Sequence, residues 1–189
     1  MRSAIETIAD LGYAQASFAR IAERAGLKST GLISYHFAGK QDLQAEIVSF
    51  VLDDLSRWMH EQLAGVERAD QALEGYIRAL TAYMQTRSTH LRALAELLLH
   101  GGMSWDAGDQ ASATSGLEDI LRWGQETGTF RPFDVGVMAA AVQRSLDGLP
   151  LLQKGNPALD LDVYADELVE LFRRATVVDG SAAKEDGKW

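Results

Sequence analysis

A chain of 189 residues, 47% hydrophobic and 24% charged, can bury a sizeable core in one or two domains, which excludes a disordered protein. Cysteine is absent, ruling out disulfides and thiolate chemistry; no basic-then-apolar leader opens the chain and no apolar run nears the ~18 residues of a membrane span, so a cytoplasmic protein is expected. The formal net charge of −9 argues on its face against a nucleic-acid partner.

The first predicted helix covers Arg2 to Leu11, with Ala4, Ile5, Ile8, Ala9 and Leu11 at helical spacing and Gly12 ending it. Ser17 is an N-cap, its hydroxyl able to take a free backbone N–H. Phe18, Ile21, Ala22 and Ala25 then share one face, leaving Arg20, Glu23 and Arg24 to water. Gly26 stands where a helix ends and φ > 0 is needed, and Leu27 can fold back as an apolar plug. Ser29 or Thr30 can cap a second short helix whose Ile33 and Phe37, one turn apart, face the first. Lys28, Ser29, Thr30, Ser34, Tyr35 and His36 remain outside. A short helix with a small, hydrogen-bonding, mildly basic outer face is what a helix-turn-helix places in the DNA major groove. The distribution of charge agrees. Residues 1–40 hold Arg2, Arg20, Arg24, Lys28 and Lys40 against Glu6, Asp10 and Glu23, a net +2 that leaves about −11 on the rest. So weak a basic head needs a second one beside it.

A long helix follows from Lys40 to about Leu63, carrying Leu43, Ile47, Phe50, Val51, Leu55, Trp58, Met59 and Leu63 near helical spacing. Ala69 to Arg87 is a further amphipathic helix. Thr89 caps another that runs to the Gly101-Gly102 break. The polar, glycine-bearing stretch from Met103 to Gly116 predicts a mobile loop, and helix resumes from Ser115 to Glu126. After the turn at Gly128–Pro132, Asp134 caps one helix through about residue 153. A last helix covers about Leu161 to Ala175, and the tail from Asp179 is expected to fray. No stretch alternates with period two, so the fold class is all-α.

The segment AGLKSTGLISYHFAGKQDL resembles the recognition region of TetR-type transcriptional regulators, roughly A-G-V-S-x-G-x-x-Y-x-Y/H-F-x-x-K-x-x-L. Ala25, Gly26, Leu27, Gly31, His36, Phe37, Lys40 and Leu43 fill that pattern over about twenty residues, with Tyr35 one place after its first tyrosine. The segment between Gly26 and Gly31 is one residue longer than the commonest form, which leaves Lys28, Ser29 and Thr30 as alternatives for the base contacts. Such regulators usually open with a basic arm. Here either the start is truncated or arm contacts are dispensed with.

The resemblance implies a three-helix DNA-binding head (1–45), a helical ligand-binding and dimerisation body (46–176) and a flexible tail (177–189). It implies a homodimer reading a near-palindromic operator in double-stranded DNA, released by a small-molecule effector, with no cofactor and no membrane partner. Lys28, Ser29, Thr30 and Ser34 are the expected residues near bases, and Gly31 is a further expected DNA-binding residue. Ser17, Tyr35, His36 and Lys40 are expected at phosphates, with Tyr35 alternatively against a thymine methyl. Where such a body would hold its effector lie Trp58, Met59, Tyr83, Met84, Met103, Trp105 and Trp123, with Glu96, His100, Gln143 and Asp147 as polar lining. Each aromatic has plain core as its ordinary reading. Glu96 and His100, one turn apart, could hold a metal only with a third ligand that the spacing does not supply. Leu146, Leu149, Leu168 and Phe172 on the last long helices are the expected dimer anchors. No nucleotide loop or Gly-x-Ser-x-Gly elbow is present, which weighs against a small helical enzyme using Glu96 and His100. An interaction module that has lost DNA binding is the other alternative, suggested by the short start and acidic body.

Overall fold

Helix boundaries in the computed structural model follow local signals in the sequence. The structure describes residues 1–100 and 107–178. Its elements are α1 (Arg2–Leu11), α2 (Phe18–Arg24), α3 (Gly31–His36), α4 (Lys40–Leu63), α5 (Ala69–Thr86), α6 (Ser88–His100), α7 (Ala107–Glu126), α8 (Val135–Asp147), α9 (Leu149–Gly155) and α10 (Leu161–Thr176). Among the described residues, extended pairing is limited to an isolated bridge between Phe130 and Val177. The chain divides into two compact units, one of Met1–Glu61 with Ala82–Asp109, the other of Gln62–Thr81 with the chain from Gln110 onward.

In the first unit the apolar faces of α1 and α2 meet Ile33 of α3, and the core does not stop there. It continues along α4 through Leu43, Ile47, Val48 and Val51, and α6 closes it with Ala93 and Leu97. Polar contacts fix α6 on α1: Arg92 donates to the Ala9 carbonyl at 3.0 Å and to Asp10 at 2.8 Å. Glu96 accepts from the Tyr13 N–H at 3.4 Å. Farther along α4, Asp54 accepts from the buried Tyr83 hydroxyl at 3.0 Å, with Arg87 Nε and His90 Nδ1 at 3.4 and 3.5 Å.

In the second unit Asp134 caps α8 by accepting the Val137 N–H at 2.9 Å, and Asp160 caps α10 through the N–H groups of Asp162 and Val163. Three expectations need correction here. The single helix expected over about 134–153 breaks at Gly148, because Pro150 has no N–H to donate and its ring would meet the carbonyl four residues back. The loop expected at 103–116 is helical from Ala107, its earlier part lying outside the described residues, as does the tail from Asp179. Finally, Leu146, Leu149, Leu168 and Phe172 are buried within the chain itself, so they cannot anchor a partner. Their strong apolarity is explained by the monomer's own core.

A chain of polar contacts joins α5 to α8. The Tyr76 hydroxyl donates to Gln143 Oε1 at 2.8 Å, Gln143 Nε2 donates to Asp147 at 2.7 Å, and Arg144 pairs with Asp147 at 3.0 Å. Burial, with the Asp147 charge second, pushes the Tyr76 phenol from 10.0 up to about 12. The unfolded chain therefore ionises this tyrosine first. The stability attached to keeping it neutral is fully present below pH 10 and is lost as pH rises to about 12. Tyr76→Phe should flatten that part of the alkaline unfolding curve, by about 2–3 kcal/mol between those limits. An unchanged curve would mean that the phenol is not buried as described.

Candidate nucleic-acid interface

The turn after α2 is built by backbone geometry that only a few residues allow. Ser17 Oγ accepts the Arg20 N–H at 3.3 Å and starts α2. At the other end Gly26 adopts φ +68°, its N–H donates to the Glu23 carbonyl at 3.0 Å, and the Leu27 N–H reaches the Ala22 carbonyl at 2.8 Å. That pair of bonds is the Schellman closure, and it sends Leu27 back onto the core of the first unit. At the start of α3 the hydroxyl that satisfies a free N–H is Ser29, which accepts from Gly31 at 3.4 Å; the Thr30 side chain makes no cap bond.

Only Ile33 of α3 is buried, with Phe37 half-buried against the same core. Lys28, Ser29, Gly31, Leu32, Ser34, Tyr35 and His36 are exposed and Thr30 partly so. Tyr35 is 83% exposed, its ring edge-on to His36 at 5.2 Å. All six residues expected to face outward are exposed at least in part on the surface of the turn and α3. Leu32, at 55% exposure, belongs to the same surface and was not among them. The helical period that turns Ile33 inward also turns its neighbour outward, and that signal was available in the sequence.

The cations of this head are not all free to meet phosphate. Arg24 is held by Asp10 at 2.6 Å, with Glu6 at 4.0 Å. The hydrogen bond from Arg24, seconded by Arg92, keeps the Asp10 carboxyl below its usual range. Arg20 is exposed and held by the Gln15 amide at 3.1 Å rather than by a carboxylate. Lys40 has a different task from the phosphate contact expected of it. Its ammonium donates to the carbonyls of Tyr13 and, at 3.3 Å, Ala14, and stands 4.0 Å above the centre of the Tyr13 ring. Partial burial lowers its pKa. Lys40 thereby pins the α1–α2 turn to the start of α4. We expect Lys40→Met to cost about 1–2 kcal/mol of stability while leaving the salt dependence of DNA binding unchanged. Loss of a true phosphate contact would instead lower the salt slope by about 0.9.

The residues expected around an effector fall in both compact units. In the first unit Trp58 stacks at a tilt on Tyr83 at 6.2 Å, Met84 is buried and Met59 half-buried. Glu96 is a brace there: besides the Tyr13 N–H it faces His100 Nδ1 at 3.4 Å, and a Cβ on Gly12 would stand 3.2 Å from its Oε2. In the second unit Trp123 is half-buried on α7, while Gln143 and Asp147 complete the Tyr76 chain. Met103 and Trp105 lie outside the described residues. The first unit has a cleft of about 250 Å³ lined by Arg2, Ile5, Glu6, Thr86, Arg87, Thr89 and His90. The second has a smaller one along Asp70, Leu73, Ile77, Phe130 and Arg173. Neither uses a residue of the expected set. Among the described residues no group of three His, Asp or Glu side chains could hold a metal, and no helix is long and apolar enough to cross a membrane.

Residues 1–47, the stretch that builds this surface, match the profile of Bacterial regulatory proteins, tetR family. That stretch is a tetR-family region. Over 78 residues it is 38% identical to the HTH-type transcriptional regulator BetI 1 of Chromohalobacter salexigens; the match takes in 41% of this chain and 38% of that protein. Beyond the head the likeness is one of fold. A tetR-family regulatory protein from Rhodococcus RHA1 superposes with a TM-score of 0.78 at 22% identity, over 94% of this chain and 95% of that one. AibR, solved in complex with isovaleryl coenzyme A and operator DNA, gives 0.74 at 18% identity over 90% and 96%. The chain therefore shares the all-helical fold of those structures, with the helix-turn-helix at its start.

Proposed function

We propose that the chain is a cytoplasmic transcriptional regulator, most simply a repressor, that binds a near-palindromic operator as a homodimer and is released by a small molecule. One observation carries the reading: α3 keeps a single side chain in the core and turns Ser34, Tyr35 and His36, with Lys28 and Ser29 before it, to solvent on a rigid turn. Soluble domains have little other use for such a helix, and its surface fits a major groove. Lys28, Ser29, Thr30 and Ser34 are assigned to bases, and Ser17, His36 and Arg20 to the phosphates on either side. Lys40 acts behind them as a positioning residue. The division into a DNA-binding head over 1–45 and an effector-binding and dimerisation body over 46–176 is part of the same proposal.

The effector assignment changes with the structure. Glu96 and His100 have protein partners, so neither is given a part in effector binding. An acyl thioester of coenzyme A is the first compound to try, because AibR, which shares the fold, was solved with one. A gel shift against the DNA upstream of the protein's own gene, repeated with isovaleryl coenzyme A, tests both parts. Binding that saturates and then weakens with the thioester is expected. Absence of any retarded band at low salt would sink the regulatory reading.

A further inference from the structure

The outward face of α3 is unusual in what it lacks. Its sequence Gly-Leu-Ile-Ser-Tyr-His contains no arginine, asparagine or glutamine, the side chains that grip guanine or adenine through two hydrogen bonds. In their place stand two large apolar surfaces, Leu32 at 55% and Tyr35 at 83% exposure, with nothing in the described chain covering either. Single exposed apolar side chains are ordinary on a protein surface, but these two stand on the face that the proposed function turns toward DNA. The one apolar group that the major groove offers is the C5-methyl of thymine.

Resting on the regulatory reading above, we infer that Leu32 and Tyr35 read thymine methyls, so that each operator half-site carries two thymines set by the spacing of these side chains. Residues three apart on a helix place their Cβ atoms about 5–6 Å apart. Successive bases on one strand rise by about 3.4 Å, so the two thymines lie one or two steps from each other. His36 holds the Tyr35 ring edge-on, which reduces the freedom that ring must give up on docking. Ser34, on the same exposed surface, can take a hydrogen bond from either kind of base pair and adds little discrimination. Methyl contacts therefore decide the sequence preference of α3.

The test begins with a duplex recovered from a random-sequence pool by repeated binding to the intact protein. Each thymine is then replaced singly by deoxyuridine, which removes the methyl and alters nothing else in the groove. Two positions per half-site should each lose about fourfold in affinity, the equivalent of one buried methyl. In Leu32→Ala one of those two losses should vanish, and in Tyr35→Ser the other. If the selected duplex is bound as tightly with uridine at every position, methyl reading is wrong while the regulatory function stands. If two positions respond but neither substitution abolishes its loss, other side chains make the contact and the assignment falls. Failure to recover any preferred duplex would instead overturn the regulatory reading on which the inference rests.

Discussion

Gly124→Ala should destabilise the second unit by about 3 kcal/mol, a larger loss than most single methyl additions cause. A Cβ at this position would stand 1.9 Å from Cδ2 and 2.6 Å from Cγ of Phe130. Those atoms are the near side of a ring that is almost wholly buried, so the clash cannot be relieved by the tip of a flexible side chain. The backbone holds the ring in place as well. The Phe130 N–H donates to the Gly124 carbonyl at 2.9 Å, and the next residue is tied to α10 by Arg131 N–H to Thr176 and Arg131 Nε to Ala175, both at 2.8 Å. Alanine is the better helix former by about 1 kcal/mol, which offsets only part of the strain. Urea unfolding measures the difference. Phe130→Ala alone should cost about 3–5 kcal/mol through the cavity it leaves. The double substitution should cost distinctly less than the two together, because the new methyl then has room. A Gly124→Ala protein with the parental midpoint would show that the ring does not lie there.

The boundaries of α1 and α10 were legible within a residue or so, because Gly12 after the one and Asp160 before the other act through backbone geometry that depends on near neighbours alone. The α3 surface was legible for the same reason: a 3.6-residue period with Ile33 inward fixes which neighbours face out. Where packing decides, the sequence misled. The stretch ASATSG before Leu117 has loop-like composition, yet buried Thr114, Leu117 and Leu121 draw it into α7 despite the weak helix formers Ser112, Thr114, Ser115 and Gly116. Lys40 could not be assigned from its motif, since the carbonyls that hold it belong to Tyr13 and Ala14, some 26 residues away. Glu96 shows the same dependence on distant partners. Glu96 on a largely apolar helix reads as a residue in want of a ligand, but its partners come from the α1–α2 turn. The dimer anchors show the sharpest ambiguity. Apolar periodicity identifies a face that must be buried and does not say against what.

That ambiguity leads to the prediction with the greatest functional effect. With the inner faces of α8 and α10 consumed by the core, a partner can meet only their outer faces. On α10 Val163 and Leu171 are each 56% exposed, opposite the buried Ala165, Leu168 and Phe172; on α8 Val137 is 69% exposed. Ala141 lies on the same outward side of α8 by helical period, and its small side chain allows a close approach of backbones. A two-fold interface pairs the same patch on both subunits, so one charge introduced into it is met by its own copy. Val163→Asp with Leu171→Asp should therefore halve the mass seen by light scattering at micromolar concentration. Helix content should stay unchanged, because neither side chain belongs to the core. Operator affinity should fall by at least about a hundredfold, since a single weakly basic head loses the advantage of two linked ones. Leu168→Asp offers the contrast: a charge placed inside the core should unfold the second unit. A dimer that survives both outer substitutions would mean that the subunits meet elsewhere.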